Sequence, residues 1–235
     1  MTVDGSTAGA RPDAETASRP RVKICGLTRP ADVDAAIDAG ADAVGVVCDV
    51  PIETPREVTA ERAADLIDRV PSSVTSVLVT MVTDVERVSR LAGRVDPDAI
   101  QLHGGVGVGE LASLRSRLDA LLFVAVDAGA DEVPSHYDEL ADALVIDSVD
   151  ESGAGGTGET HDWRTTEERA ASLASPVVLA GGLTPSNVAR AVAVAHPFAV
   201  DVSTGIETAA GVKDHDAVRT FVERARAASV ETERP

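Results

Sequence analysis

From residue 21 onward the chain alternates two patterns of apolar and polar positions. Short runs rich in Val, Ile, Leu and Ala, apolar on both faces, fall at 21–25, 42–48, 74–82, 98–102, 121–126, 143–147, 176–180 and 199–202. Strands buried on both sides of a parallel sheet read this way. Between them, apolar residues recur at helical spacing near 30–39, 59–69, 84–93, 108–119, 134–141, 164–174 and 185–194, with a last segment at 215–228. Thr28 ahead of Pro30, Thr59 ahead of Glu61, and Thr184 ahead of Pro185 read as helix starts. Gly40 reads as the stop of the first helix.

Eight βα units in about 210 residues predict a (β/α)8 TIM barrel, the count at which such units close on themselves. An open doubly wound sheet is the competing architecture, but no Gly-x-Gly-x-x-Gly turn follows the first strand. The expected organisation is one domain over 21–229, with a disordered polar tail at 1–20 and a short tail at 230–235. Barrel chemistry sits at the C-terminal strand ends and in the loops beyond them. Cys25, Arg56, His103, Asp147, Gly181 and Asp201 all fall in that zone.

Composition narrows the partners. Thirty-nine acidic residues against 21 basic ones leave a net charge of −18, which argues against nucleic acid or an anionic membrane as partner. Only two of the basic residues, Lys23 and Lys213, are lysine. An acidic, arginine-biased chain rich in alanine and valine suits a salt-accumulating cytoplasm: at about 1 M salt the screening length is about 3 Å, and dense carboxylates repel weakly. The fold is therefore expected to loosen in dilute buffer. Aromatic content of 2% implies a core of Val, Ala, Leu and Ile. Two cysteines make no disulfide framework, no apolar run approaches a membrane span, and no Cys/His/Asp spacing suggests zinc or another metal.

The strand-end residues carry the chemistry. Cys25 ends the first strand beside one of the two lysines; on its own it reads as a small buried hydrophobe. Asp147 ends an apolar strand, where a carboxylate is costly to bury unless it is used or paired. Partial desolvation would raise its pKa toward an acid/base role. Gly181-Gly182 and Ser203-Thr204-Gly205 end the seventh and eighth strands and bare backbone N–H groups, a phosphate site made without lysine. Gly156, in the glycine-rich run 153–158, could close over a ligand. Arg56 could clamp a carboxylate through its planar fork. His103 could equally orient a loop or touch substrate.

Taken in order, Lys23-Ile24-Cys25-Gly26-Leu27-Thr28, Gln101-Leu102-His103-Gly104, Gly155-Gly156-Thr157-Gly158, Gly181-Gly182-Leu183 and Asp201-Val202-Ser203-Thr204-Gly205 through Gly211-Val212-Lys213-Asp214 form a set. That set resembles the phosphoribosylanthranilate isomerase family, from about Arg21 to Phe221. The resemblance implies an Amadori rearrangement of a phosphorylated small molecule in tryptophan biosynthesis, with no cofactor. It implies Cys25 as general base and Asp147 as general acid. Arg56 would meet the anthranilate carboxylate and Asp201 the ribose hydroxyls, with Gln101 and His103 as further substrate contacts. The glycine loops and Ser203-Thr204 would hold the phosphate. Lys23, on the same strand face as Cys25, could lower the thiol pKa. Two features depart from the family: Cys48 stands where an aromatic is common, in a loop to Arg56 that is longer than usual, and Thr204 replaces a second serine. A monomer or a homodimer in the cytoplasm fits equally. The rivals are another sugar-phosphate barrel, such as the isomerase of histidine synthesis, which has an aspartate in place of Cys25, and a catalytically silent phosphate-binding barrel. Barrel enzymes that need an internal lysine are excluded, since none occurs between Ile24 and Val212.

Overall fold

The computed structural model describes residues 19–130, 132–148 and 160–228. Eight parallel strands close into a barrel in sequence order: β1 (Arg21–Ile24), β2 (Ala43–Val47), β3 (Thr75–Thr80), β4 (Ala99–Leu102), β5 (Leu121–Asp127), β6 (Ala143–Asp147), β7 (Val177–Leu179) and β8 (Ala199–Val202). Closure is direct: Arg21 to Ile24 pair in register with Ala199 to Val202. The helices between are α1 (Pro30–Asp38), α2 (Ala60–Ile67), α3 (Val85–Val95), α4 (Val108–Arg117), α5 (Ser135–Leu140), α6 (Trp163–Ser172) and α7 (Val188–Ala195). After β8 come a single 3-10 turn (Thr204–Ile206), an antiparallel hairpin of β9 (Glu207–Ala209) and β10 (Val212–Lys213), and α8 (His215–Ala227).

Strand alternation sorts the residues into two cores. Val22, Ile24, Val44, Val46 and Leu78 face the helices, where they pack with Leu66, Leu91, Phe221 and Val222. Cys25, Val77, Val79 and Ala99 face inward with Phe123, beside a second inner group of Ala143, Val145, Val178, Ala180 and Ala199. Small side chains fill the barrel, which explains how the chain manages with so few aromatics. The same inward rows carry Lys23, Gln101, Asp147 and Asp201, all buried.

Two of the expected helix starts differ. Thr59 does cap α2, accepting from the Arg62 N–H, and Gly40 follows α1 at φ +88°. Thr28, however, donates its hydroxyl to the Gly211 carbonyl at 2.8 Å, and α1 starts after Arg29 without a side-chain cap. At the seventh unit a separate turn occupies 185–187, so α7 begins at Val188; Asn187 accepts the Thr184 N–H at 2.8 Å. The β9–β10 hairpin had no expectation in the sequence, because its strands are too short to show a period. The tails at 1–18 and 229–235 and the run holding Gly156 lie outside the described residues.

Candidate active site

The C-terminal end of the barrel opens into a pocket lined by Cys25, Arg56, Gln101, His103, Asp147, Gly181, Gly182, Asp201, Ser203 and Thr204. Of the expected site residues, Lys23 lies beneath this floor rather than in its lining, and Gly205 lies just behind it. Gly205 is held against the preceding loop: a Cβ there would meet the Leu183 carbonyl oxygen at 1.9 Å. The glycine thus lets the β7 and β8 loops touch and act as one cradle of backbone donors.

Three buried acceptors in the pocket floor, Asp147 Oδ1, Asp201 Oδ1 and Gln101 Oε1, have no hydrogen-bond partner among the described residues. Buried polar atoms are rarely left unpaired, and three converging on one cavity mark the place of a polar ligand. Asp147 is 8% exposed. Burial, then the nearby Asp201 carboxylate, raise its pKa to about 7 against the pull of Lys23. It can therefore hold a proton near neutrality and release it on demand.

Cys25 is a free buried thiol at the end of β1. Lys23, two residues earlier, forms a 2.7 Å ion pair with Asp201. The expectation was that Lys23 would bring the thiol below its ordinary pKa. The Lys23 charge does pull in that direction, but burial is the larger effect and Asp201 adds to it, so the thiol ends above its ordinary value. A lysine already neutralised by a carboxylate is a weak source of field.

Gly45 of β2 makes room for this pair, a role with no motif to announce it. A Cβ at Gly45 would stand 2.8 Å from Cys25 Sγ and 3.2 Å from Lys23 Nζ. Only glycine leaves space for both groups at that level of the barrel.

Arg56 reaches the pocket from the β2 loop, with its guanidinium donating to Glu207 through Nε at 2.9 Å and Nη2 at 2.7 Å. Cys48 does not line the pocket. It faces the helix-side core, where burial lifts its thiol to about 11. An apolar wall of Val47, Val50, Ile52, Val79 and Met81 flanks the pocket instead. Glu207 is the site residue that sequence reading passed over; the rarity of lysine at Lys213, its ion-pair partner at 2.8 Å, was the available signal. Among the described residues, no group of three or more His, Cys, Asp or Glu could hold a metal ion.

The fold agrees with comparisons to known proteins. A family model described as N-(5′-phosphoribosyl)anthranilate (PRA) isomerase matches residues 22–224. The chain is 56% identical over 205 residues to an N-(5′-phosphoribosyl)anthranilate isomerase of the archaeon Halorubrum lacusprofundi, covering 87% of this chain and 96% of the relative. A solved phosphoribosylanthranilate isomerase in complex with reduced 1-(o-carboxyphenylamino)-1-deoxyribulose 5-phosphate superimposes with a TM-score of 0.73 at 31% identity, covering 88% of this chain and 98% of that one. A structure of monomers of the dimeric enzyme from Thermotoga maritima gives a TM-score of 0.75 at 31% identity over the same shares of the two chains.

Proposed function

The chain belongs to the N-(5′-phosphoribosyl)anthranilate isomerase family, and from that membership we propose that its pocket works with Cys25 as general base and Asp147 as general acid. The reaction is the isomerisation of N-(5′-phosphoribosyl)anthranilate to 1-(2-carboxyphenylamino)-1-deoxyribulose 5-phosphate in tryptophan biosynthesis. Asp147 donates its proton to the furanose ring oxygen as the C1′–O bond breaks, and the nitrogen lone pair forms a C=N bond, leaving an iminium. Cys25, as thiolate, removes the C2′ proton; the C2′–H electrons form a C1′=C2′ double bond and the C=N π pair returns to nitrogen, giving an enolamine. Tautomerisation of the enolamine yields the ketone. The iminium cation acidifies C2′ and favours the thiolate over the thiol, which offsets the scarcity of thiolate that burial imposes.

Asp201 and Gln101 offer their unpaired oxygens to the ribose hydroxyls, and His103 borders the same space. The phosphate lies on the backbone donors of Gly181, Gly182, Ser203, Thr204 and Gly205; Gly156, outside the described residues, is assigned to the same site. Arg56 meets the anthranilate carboxylate, and the ring lies on the apolar wall. Lys23 acts from below, holding Asp201 in place. The protein works as a monomer or homodimer in the cytoplasm, without nucleic acid or membrane partners; among the described residues no helix is long and apolar enough to cross a bilayer.

The observation that carries this reading is the meeting of Cys25 and Asp147 with the orphaned acceptors of Asp147, Asp201 and Gln101 in one pocket beside two glycine loops. A silent phosphate-binding barrel would have no use for the first two. The test is rescue of a tryptophan auxotroph lacking this isomerase, in a host with adequate salt. Wild type should restore growth, and Cys25→Ala and Asp147→Ala should not. Full rescue by both variants would sink the assigned roles.

A further inference from the structure

Beside the pocket, three ions form a chain that the acid–base mechanism leaves unused. Arg56 donates two hydrogen bonds to the Glu207 carboxylate. Lys213 Nζ donates to the same carboxylate at 2.8 Å and to the Ser203 carbonyl at 3.0 Å. Glu207 and Lys213 face each other across the β9–β10 hairpin. Their side chains are 6% and 0% exposed, whereas that of Arg56 is 20% exposed and opens to the pocket.

We propose that Glu207 is a positioning residue that aims Arg56 at the substrate carboxylate, and that Lys213 restores the positive charge Glu207 would otherwise cancel. The proposal rests on the reading of Arg56 given above. The donor arithmetic permits it. A guanidinium has five N–H donors, and Glu207 takes the Nε proton and one from Nη2. The end-on edge, one proton each from Nη1 and Nη2, remains as a fork for a second carboxylate.

The charge arithmetic requires the lysine. An isolated Arg56–Glu207 pair would be neutral and would offer an incoming anion little attraction. With Lys213 the buried cluster carries one net positive charge. The hairpin also fixes the position of the loop bearing Arg56. Gly211, at its turn, lies so close to Pro55 that a Cβ would meet the Pro55 carbonyl oxygen at 2.6 Å. The Gly211 N–H also donates to Glu207 at 3.3 Å. A long side chain on a long loop is thus held in place before substrate arrives, which lowers the ordering cost of binding. Because Lys213 also holds Ser203, carboxylate recognition and the phosphate loop share one anchor.

Steady-state kinetics on two substrates test this: N-(5′-phosphoribosyl)anthranilate, and N-(5′-phosphoribosyl)aniline, which lacks the carboxylate. The near-isosteric Glu207→Gln should lower kcat/KM on the anthranilate substrate roughly tenfold or more, mainly through KM. It should leave the aniline analogue nearly unaffected. Lys213→Met, which also releases the Ser203 loop, should cost both substrates activity but the anthranilate substrate more, and Glu207→Gln combined with Arg56→Ala should be no worse than Arg56→Ala alone. Equal losses on both substrates, multiplicative losses in the double variant, or a wild type indifferent to the carboxylate would each overturn the proposal. A wild type that turns over neither compound would instead remove the catalytic reading beneath it.

Discussion

The ion pairs of this barrel fall into two populations that obey different rules. Around the outer ring, arginines reach from one helix to the carboxylates of the next. Arg69, past α2, meets Asp34 of α1, Arg94 of α3 meets Glu61 of α2, and Arg117 of α4 meets Glu86 of α3. These side chains are roughly half exposed. Inside, Lys23–Asp201 and the Arg56–Glu207–Lys213 cluster sit almost out of water. Both of the chain's lysines belong to the inner population, and neither is exposed. In water an ion pair is cheap to form and worth little; in the interior each charge commits the fold to a partner and tunes every titratable group nearby. A chain that has almost abandoned lysine on its surface has kept it where a compact ammonium under a strand end does something arginine's fork cannot.

The inner population should show the largest effect through Asp147. On the proposed roles the productive enzyme needs Asp147 protonated and Cys25 ionised, yet the carboxyl, at about 7, is a stronger acid than the buried thiol. The active form is therefore the minor tautomer of the singly protonated pair. Its population grows as pH rises through about 7, while the doubly protonated form disappears. It shrinks again as pH passes the thiol's value. The kcat/KM profile should be a bell whose rising limb belongs to Asp147, opposite to the usual assignment of that limb to the base. Asp147→Asn should cost about 10²–10⁴ in kcat/KM. It should also erase the limb near 7, leaving residual activity that climbs only with thiol ionisation at higher pH. If the limb near 7 persists in the variant, the carboxyl is not its source.

Why the outer frame was readable in the sequence and the inner electrostatics only partly so follows from the same division. Strand and helix order is written in apolar periodicity, which the chain keeps through all eight units; each expected strand overlaps an observed one. The strand-end position of Cys25 and Asp147 was legible because a barrel fixes where strand ends point. The sign of the thiol's shift was not. It is set first by burial and then by Asp201, distant in sequence but paired with Lys23 across the seam where β1 meets β8. Thr28 misled for a related reason: its hydroxyl was drawn to Gly211, on a hairpin too short to announce itself. Glu207 escaped notice because nothing local distinguishes it from any acidic loop residue until the fold brings Arg56 and Lys213 to it.

Removing one partner of the inner pair should cost stability of about the same order as removing the acid costs activity, and far more than anything outside. Lys23→Met leaves Asp201 buried without a counter-ion, a loss of about 3–5 kcal/mol. The unfolding midpoint in urea should drop accordingly. The double variant Lys23→Met/Asp201→Leu should recover much of the stability while remaining inactive. A single variant with wild-type stability would show that the Lys23–Asp201 pair contributes nothing to the fold.

The smallest effect, and the one that separates pairwise attraction from net charge, lies on the outer ring. Arg69 holds Asp34 through two contacts of 2.8 and 2.9 Å, with both side chains near half exposed. A double-mutant cycle on this pair should give a coupling of about 0.2–1 kcal/mol in dilute buffer. That coupling should vanish near 1 M salt, where the screening length is about 3 Å. The whole protein should respond in the opposite direction. With a net charge of −18, its self-repulsion is greatest in dilute buffer, so the melting temperature should rise with salt even as each exposed pair weakens. If stability and coupling instead fall together as salt is added, the surface arginines stabilise this fold more than its carboxylates strain it.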